Sequence, residues 1–337
     1  MTEQLPYDAW LHWNLTDRCN LQCSYCIGGI GKRIGPENKS MKKIDVTAFL
    51  RTLDATDKIF LIGFTGGGEP FVMHDFVGAC VEISKKHYLQ LNTNLTLPAI
   101  RNFAEKIDPS RVKGIHASFH TWELRKRNLF DKFIEYYLLC KEKGFNVSAV
   151  AVAHPSLVPE VETLRKELHD RGVHLTFIPY IGTFDEEKYP SSYTDEELGL
   201  FGLQRKYLKN YNREQQICNA GYNVAVVTMQ GDVRPCNSVR EHLGNVYSNI
   251  RFKPTMMMCP YNKCGCPLNH FDPYLFAKAK EDNSIIALNP LIKRLRTQYY
   301  VVAKKLSVAK YISLPRVRKR IKRKYITLRG LGSISKK

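Results

Sequence analysis

The chain has 337 residues, 44% hydrophobic and 25% charged, with a formal net charge of +19 and ten cysteines. That length holds one large domain with an extension or two modest domains, and the composition excludes a disordered or collagen-like chain. No apolar run reaches the roughly 18 residues of a membrane span and residues 1–8 do not read as a signal peptide, so we expect a cytoplasmic protein whose cysteines serve a metal or chemistry rather than disulfides.

Residues 10–15 read as a strand, followed by a loop carrying Cys19, Cys23 and Cys26. Val46, Phe49, Leu50 and Leu53 recur at helical spacing and predict a helix over residues 45–53. Residues 58–65 are a compact apolar run suited to a strand buried on both faces. A helix over 75–86 with an acidic start, a strand over 88–92, a helix over 98–107 opened by Pro98 and a strand over 112–119 follow. Next come a helix over 128–143 stopped by Gly144, a strand over 146–153, a helix over 158–171 stopped by Gly172 and a strand over 174–179. Cys80 and Cys140 fall inside amphipathic helical patterns and read as small buried hydrophobes.

Six strands with helical crossovers predict an α/β fold with a parallel sheet covered by helices. The unit is short of the roughly 250 residues of a closed eight-stranded barrel, so we expect a partial (β/α)6 TIM-like barrel over residues 1–182. Its chemistry belongs at the carboxyl ends of the strands. Residues 183–217 read as a connecting helical segment, 218–270 as a small cysteine-rich C-terminal module and 271–337 as a basic tail.

Cys19, Cys23 and Cys26 have the spacing C-x3-C-x2-C, with Tyr25 before the last cysteine. A [4Fe–4S] cluster is normally held by four thiolates, so three on one loop leave one iron open to a ligand. A three-cysteine zinc site completed by His12 or another distant residue is the competing reading of the spacing. At the carboxyl end of the second strand stand Thr65, Gly66, Gly67, Gly68, Glu69 and Pro70. The glycines let a backbone pass close to a ligand, and Glu69 offers an anion to an ammonium group. The third strand ends in Asn92-Thr93-Asn94 and the fourth in Ser118-Phe119-His120, where strand-end capping is the ordinary alternative.

The cysteine spacing with its aromatic resembles the radical S-adenosylmethionine superfamily, and Gly66 to Pro70 resembles that family's Gly-Gly-Glu-Pro motif. The resemblance covers residues 10–180. It implies that the open iron chelates the methionyl amine and carboxylate of S-adenosylmethionine, and that one electron then yields a 5′-deoxyadenosyl radical. It further implies that Glu69 helps hold the amine, with Asn94 and Ser118 at the Asn turn and the ribose, and that an electron donor such as flavodoxin or ferredoxin is a partner.

Further on, Cys218 and Cys236 flank Gly231 in the pattern C-x12-G-x4-C, and Leu-Gly-Asn-Val and then Cys259, Cys264 and Cys266 follow. Residues 223–229, the turn 230–232 and the return from 233 read as a β-hairpin that brings Cys218 and Cys236 together. This resembles the auxiliary-cluster extension called SPASM, or its shorter twitch form. The five cysteines here, against seven in the full SPASM pattern, imply one auxiliary [4Fe–4S] cluster held by Cys218, Cys236, Cys259 and either Cys264 or Cys266. A four-cysteine zinc site is the alternative, and the three methionines at 256–258 read as packing. A cluster near a substrate radical can accept its electron, which favours an oxidation.

Residues 284–337 contain 16 Lys and Arg and no Asp or Glu, interleaved with apolar residues such as Leu291, Leu295 and Tyr299. Such a helix suits an anionic membrane surface; nucleic acid phosphates are the competing partner, and a solvated tail is the plain reading. The expected function is hydrogen abstraction from a small-molecule substrate, a sugar or polyol, or from a peptide. The alternative is a zinc-binding nucleic-acid-binding protein without catalysis.

Overall fold

The computed structural model describes residues 6–26, 43–65, 67–208, 217–259 and 273–282. Gly66, Cys264, Cys266 and the basic segment 284–337 lie outside the described residues.

Strands β1 (Ala9–Trp13), β2 (Phe60–Phe64), β3 (Tyr88–Thr93), β4 (Val112–Ser118), β5 (Val147–Ala153) and β6 (Leu175–Pro179) pair in parallel in chain order. They form an open, barrel-like sheet of the expected α/β class. Every residue of β2 is buried, as its unbroken apolar run requires. Helices α1 (Val46–Asp54), α2 (Phe76–Ser84) and α3 (Ala99–Lys106) cover the outer face with their apolar sides. The Asp45 carboxylate accepts the Ala48 amide and caps α1. Cys80 and Cys140 are fully buried in this core.

Three local expectations change. The helix expected over 128–143 is α5 (Phe130–Glu142), and a short helix not expected from the sequence, α4 (Thr121–Lys126), precedes it, separated where Asn128 adopts a left-handed φ of 56°. The helix over 158–171 starts as a 3-10 turn, Pro155–Glu160, before α6 (Val161–Asp170). The segment expected to be helical from 183 opens with a hairpin, β7 (Gly182–Phe184) and β8 (Glu187–Tyr189), and α7 (Asp195–Phe201) follows with a Thr194–Glu197 capping box.

Most strands of the cysteine-rich segment belong to the barrel sheet rather than to a separate one. Its hairpin, β10 (Val224–Val227) and β11 (Asp232–Arg234), joins the barrel sheet, since β10 pairs in parallel with β1. Strands β12 (Gly244–Asn245) and β13 (Asn249–Ile250) extend the edge, making this sheet ten-stranded among the described residues. Strand β9 (Ile217–Cys218) pairs with β14 (Met257–Met258). Helix Pro273–Asp282 packs beneath: Leu275 is fully buried among Trp10, Leu61, Val226 and Cys236, and its carbonyl accepts the Asn223 amide.

Candidate functional site

The cysteine loop leaves β1 and is pinned to the end of β2. Thr16 bridges to Gly67, and the Glu69 amide donates to the Arg18 carbonyl at 2.9 Å. Gly67 has a φ of 80°, and a Cβ there would lie 2.5 Å from the Thr16 carbonyl oxygen. A Cβ on Gly68 would overlap the Arg18 backbone. These two glycines are therefore required first by the approach of the loop itself.

From the other side, the Glu123 carboxylate at the start of α4 accepts the Gln22 amide at 3.0 Å and pairs with Arg127 at 2.8 Å. Asn20 donates to Thr96, accepts from Asn94 at 2.8 Å, and so ties the loop to the end of β3. Leu21 is buried beneath it.

The loop brings Cys19, Cys23 and Cys26 to the rim of a cleft of about 220 Å³, together with Gly67, Gly68, Glu69, Asn94, Ser118 and His120. Among the described residues, no three His, Cys, Asp or Glu side chains converge on a single-ion site. Burial pushes the Cys23 thiol up to about 12, helped by the charges of Cys19, Glu123 and Cys26, and burial also raises Cys19. Thiols so placed become thiolates only when cations join them. The Cys19 sulfur meanwhile accepts the Leu21 amide at 3.4 Å and the Asn94 side-chain amide at 3.8 Å, so donors suited to a sulfur anion are in place.

Glu69 is buried at the floor, and burial raises its carboxyl to about 7. One oxygen accepts from Thr93 at 2.8 Å and from the Phe71 amide at 3.2 Å, and the other accepts from the Asn94 amide at 2.6 Å. Pro70 opens the 3-10 turn that Glu69 caps. The carboxylate is thus preorganised, with a charge that a nearby cation would favour.

Tyr25 turns toward β4 and β5. Its hydroxyl lies 3.0 Å from His120 Nδ1, and its ring meets Trp122 and His154. Burial holds His120 near 4, so the imidazole is neutral at physiological pH.

In the second region, Cys236 is buried in the apolar cluster beneath β10, and Cys218 packs against that cluster. Cys218 accepts the Ala220 amide and Cys236 the Val239 amide. Cys259 follows β14, whose Met257 is the ladder partner of Cys218. Met256 and Met257 are buried here.

Sequence reasoning passed over Asn20, Thr93 and Glu123, which fix the loop, and Gln90, His116 and Ser148 inside the barrel. The loop-fixing residues carry no spacing signal, because they meet only across strand ends. Gln90 and Asn92, polar at alternate positions of an otherwise buried strand, did carry one.

The sequence model of the Radical SAM superfamily matches residues 13–187. The GTP 3′,8-cyclase of Peptoclostridium acidaminophilum is 31% identical over 122 residues, 35% of this chain and 36% of that one. Molybdenum cofactor biosynthesis protein 1 of Dictyostelium discoideum is 24% identical over 259 residues, 73% of this chain and 40% of that one. Both matches span well under two thirds of the relatives' own length. Among solved structures, hexahistidine-tagged anSMEcpe with bound AdoMet aligns with a TM-score of 0.51 at 18% identity, over 71% of this chain and 74% of that one. That likeness is one of fold.

Proposed function

The chain belongs to the Radical SAM superfamily, and from that premise we propose that its cleft cleaves S-adenosylmethionine and that its second cysteine region accepts an electron from the substrate. Enzymes of the superfamily use a [4Fe–4S] cluster and S-adenosylmethionine with an external reductant, so this chain is an enzyme and the reading as a non-catalytic zinc protein is set aside.

The observation that carries the proposal is the convergence of Cys19, Cys23 and Cys26 with a buried, preorganised Glu69 and a close-packed Gly67-Gly68 backbone in one cleft. Three thiols fit a four-iron cluster with one iron open. When bound, the cluster supplies the electron and the cofactor supplies the 5′-deoxyadenosyl radical. Glu69 holds negative charge for the methionyl ammonium, Asn94 steadies the Cys19 sulfur, and Ser118 at the end of β4 offers a hydroxyl to the ribose. Tyr25, fixed by His120, closes the β5 side.

Cys218, Cys236, Cys259 and one of Cys264 or Cys266 would hold one auxiliary cluster, which suits oxidation of a sugar or polyol or of a peptide. Flavodoxin or ferredoxin is the fitting donor, in the cytoplasm. No helix among the described residues is long and apolar enough to cross a membrane. For the basic segment 284–337 we propose peripheral binding to anionic membranes, with nucleic acid as the competing partner. Co-sedimentation with anionic vesicles, lost on truncation before Ser284, supports the former; an RNA or DNA gel shift without sedimentation overturns it.

The test of the cleft is 5′-deoxyadenosine formation by the anaerobically reconstituted, reduced chain. Cys19→Ala, Cys23→Ala and Cys26→Ala should each abolish it. Glu69→Ala should weaken cofactor binding about 100-fold, as expected for loss of a buried charge partner worth about 3 kcal/mol. A cysteine variant that cleaves the cofactor at the wild-type rate contradicts the assignment.

A further inference from the structure

The barrel sheet ends on one side at β6, whose second edge faces no strand among the described residues. An edge strand presents a row of unpaired backbone N–H and C=O groups, which proteins ordinarily blunt or cover. Here the edge borders a groove of about 510 Å³ that shares no residue with the cofactor cleft. Residues 173–177 run along it without interruption, α6 flanks it, and Phe201 and Gly202 from the end of α7 complete it.

The groove combines two chemistries. Val173, Phe177 and Phe201 give it an apolar floor, with the Phe177 and Phe201 rings meeting edge to face at 5.1 Å. Its rim is cationic. The Arg165 guanidinium lies 5.0 Å over the Phe177 ring, donates to the Leu200 carbonyl, and has no carboxylate partner among the described residues. Lys166 and His169, both largely exposed, follow on α6, and His174 stands just before β6. Against these, Asp170 pairs with Lys166 at 2.6 Å and lies 3.8 Å from His169.

Exposed apolar surface gathers along the same strand. Ile178 of β6 and Ile181 just beyond it are about half exposed, and Leu138 of α5, next to Gly172 at the foot of β6, is exposed as well.

Geometry and charge define what fits. Five backbone residues in a line match an extended chain rather than a compact anion, and a peptide added to a sheet edge draws its affinity from the main-chain ladder. Strand alternation sends Leu175 and Phe177 toward α6, and Thr176 and Ile178 toward the opposite face. A chain paired with β6 therefore turns every second side chain toward Arg165, Lys166 and His169, and the others toward Ile178. Acidic residues suit the first set and apolar residues the second. This protein holds no such segment in reserve: outside the described residues its acids are Glu3, Glu37, Glu214 and Asp272, against 16 Lys and Arg in 284–337 alone. A second copy paired antiparallel through β6 would set the two cationic rims side by side, which is unfavourable.

We propose that the β6 edge is a docking site for an extended acidic segment of a partner protein, which adds to the sheet as a further strand with acids at alternate positions. The site lies outside the cofactor cleft, and its occupation does not depend on the chemistry proposed there.

The probe is a fluorescein-labelled, terminally blocked peptide of four Glu-Val repeats, titrated into the full-length chain at physiological salt. A peptide of four Glu-Pro repeats carries the same charge but cannot form the ladder, so it reports attraction to the basic segment 284–337 alone. The Glu-Val peptide should bind saturably and about tenfold more tightly than the Glu-Pro peptide. Lys166→Glu combined with His169→Glu, two exposed changes, should weaken it about tenfold. Amide exchange in residues 173–178 should slow on binding, while that of β3 stays unchanged.

Equal affinity for the two peptides, or no loss in the double variant, assigns the binding to the basic segment and overturns the proposal. Displacement of the Glu-Val peptide by inorganic phosphate, beyond the effect of sodium chloride at equal ionic strength, makes the groove a compact-anion site and also overturns it. If every amide of 173–178 is already slow in the free chain, a segment of this chain or a second copy covers the edge, and the proposal fails.

Discussion

Around Cys19, Cys23 and Cys26 the chain is fixed by side-chain hydrogen bonds converging from several strand ends, whereas around Cys218 and Cys236 it rests mainly on apolar packing and short backbone ladders, with the buried Asn219–Asn223 pair tied to the Leu275 carbonyl. Glu69, Thr93, Asn94, Asn20 and Thr96 form one connected polar network beside the first cysteines. The second region rests on Trp10, Leu61, Val226 and Leu275. A site that must hold a polar, charged cofactor needs oriented donors and acceptors with matched partners. A site that has only to hold a cluster near an electron source needs thiolates and a dry surrounding. The contrast matches the roles proposed for the two regions.

The most disruptive single change should be Gly68→Ala. Its new Cβ meets the Arg18 backbone, which has no flexible end to yield. We expect a loss of about 4 kcal/mol or more, read as a lowered urea midpoint. Gly231→Ala in the second region sits at a positive φ of 85° but meets only the Tyr247 and Val246 side chains, and should cost about 1–2 kcal/mol. Equal losses would remove the distinction between a rigid loop contact and a yielding one.

Leu275→Ala tests the apolar side of the comparison. A fully buried leucine under β10 should cost about 3 kcal/mol on truncation. It should also loosen the Cys218–Cys236 region before the first, so amide exchange should quicken in residues 217–236 and not in 65–96.

The polar side carries a pH signature. Unfolded, Glu69 ionises near 4.5; folded, burial raises it to about 7. Below pH 4.5 both states are protonated and no penalty exists. As pH rises to 7 the unfolded state ionises first, so the cofactor-free protein should lose roughly 3 kcal/mol at most through this group. His12, His87 and His120, lowered to about 4 by burial, act in the opposite direction up to their ordinary range near 6.5. The difference between wild type and Glu69→Gln, measured by denaturant titration across this window, isolates the Glu69 part. A difference that is flat with pH would contradict its burial.

Asn20→Ala should have the smallest effect, about 1 kcal/mol. It removes the two hydrogen bonds between the loop and the end of β3, at solvent-reachable positions, while Glu123 still holds the Gln22 amide.

Sequence legibility divides along the same line. The six parallel strands were readable because each is a short apolar run between helical patterns, and the three loop cysteines because their spacing is local. Glu69 was readable as a residue but not as a buried, raised carboxyl, since Thr93 and Asn94 reach it only after β2 and β3 pair. The hairpin at 182–189 was hidden by Glu, Lys and Asp residues with little strand preference. The joining of β10 to β1 was equally hidden, because a parallel contact between residues more than 200 positions apart leaves no local pattern.

Metal counting on anaerobically reconstituted protein tests most directly whether the two regions hold two separate clusters. The full chain should bind about eight irons, and the Cys19/Cys23/Cys26 and Cys218/Cys236/Cys259 triple alanine variants about four each. Four irons in the full chain, or a zinc-loaded and iron-free Cys19/Cys23/Cys26 variant, would contradict the account.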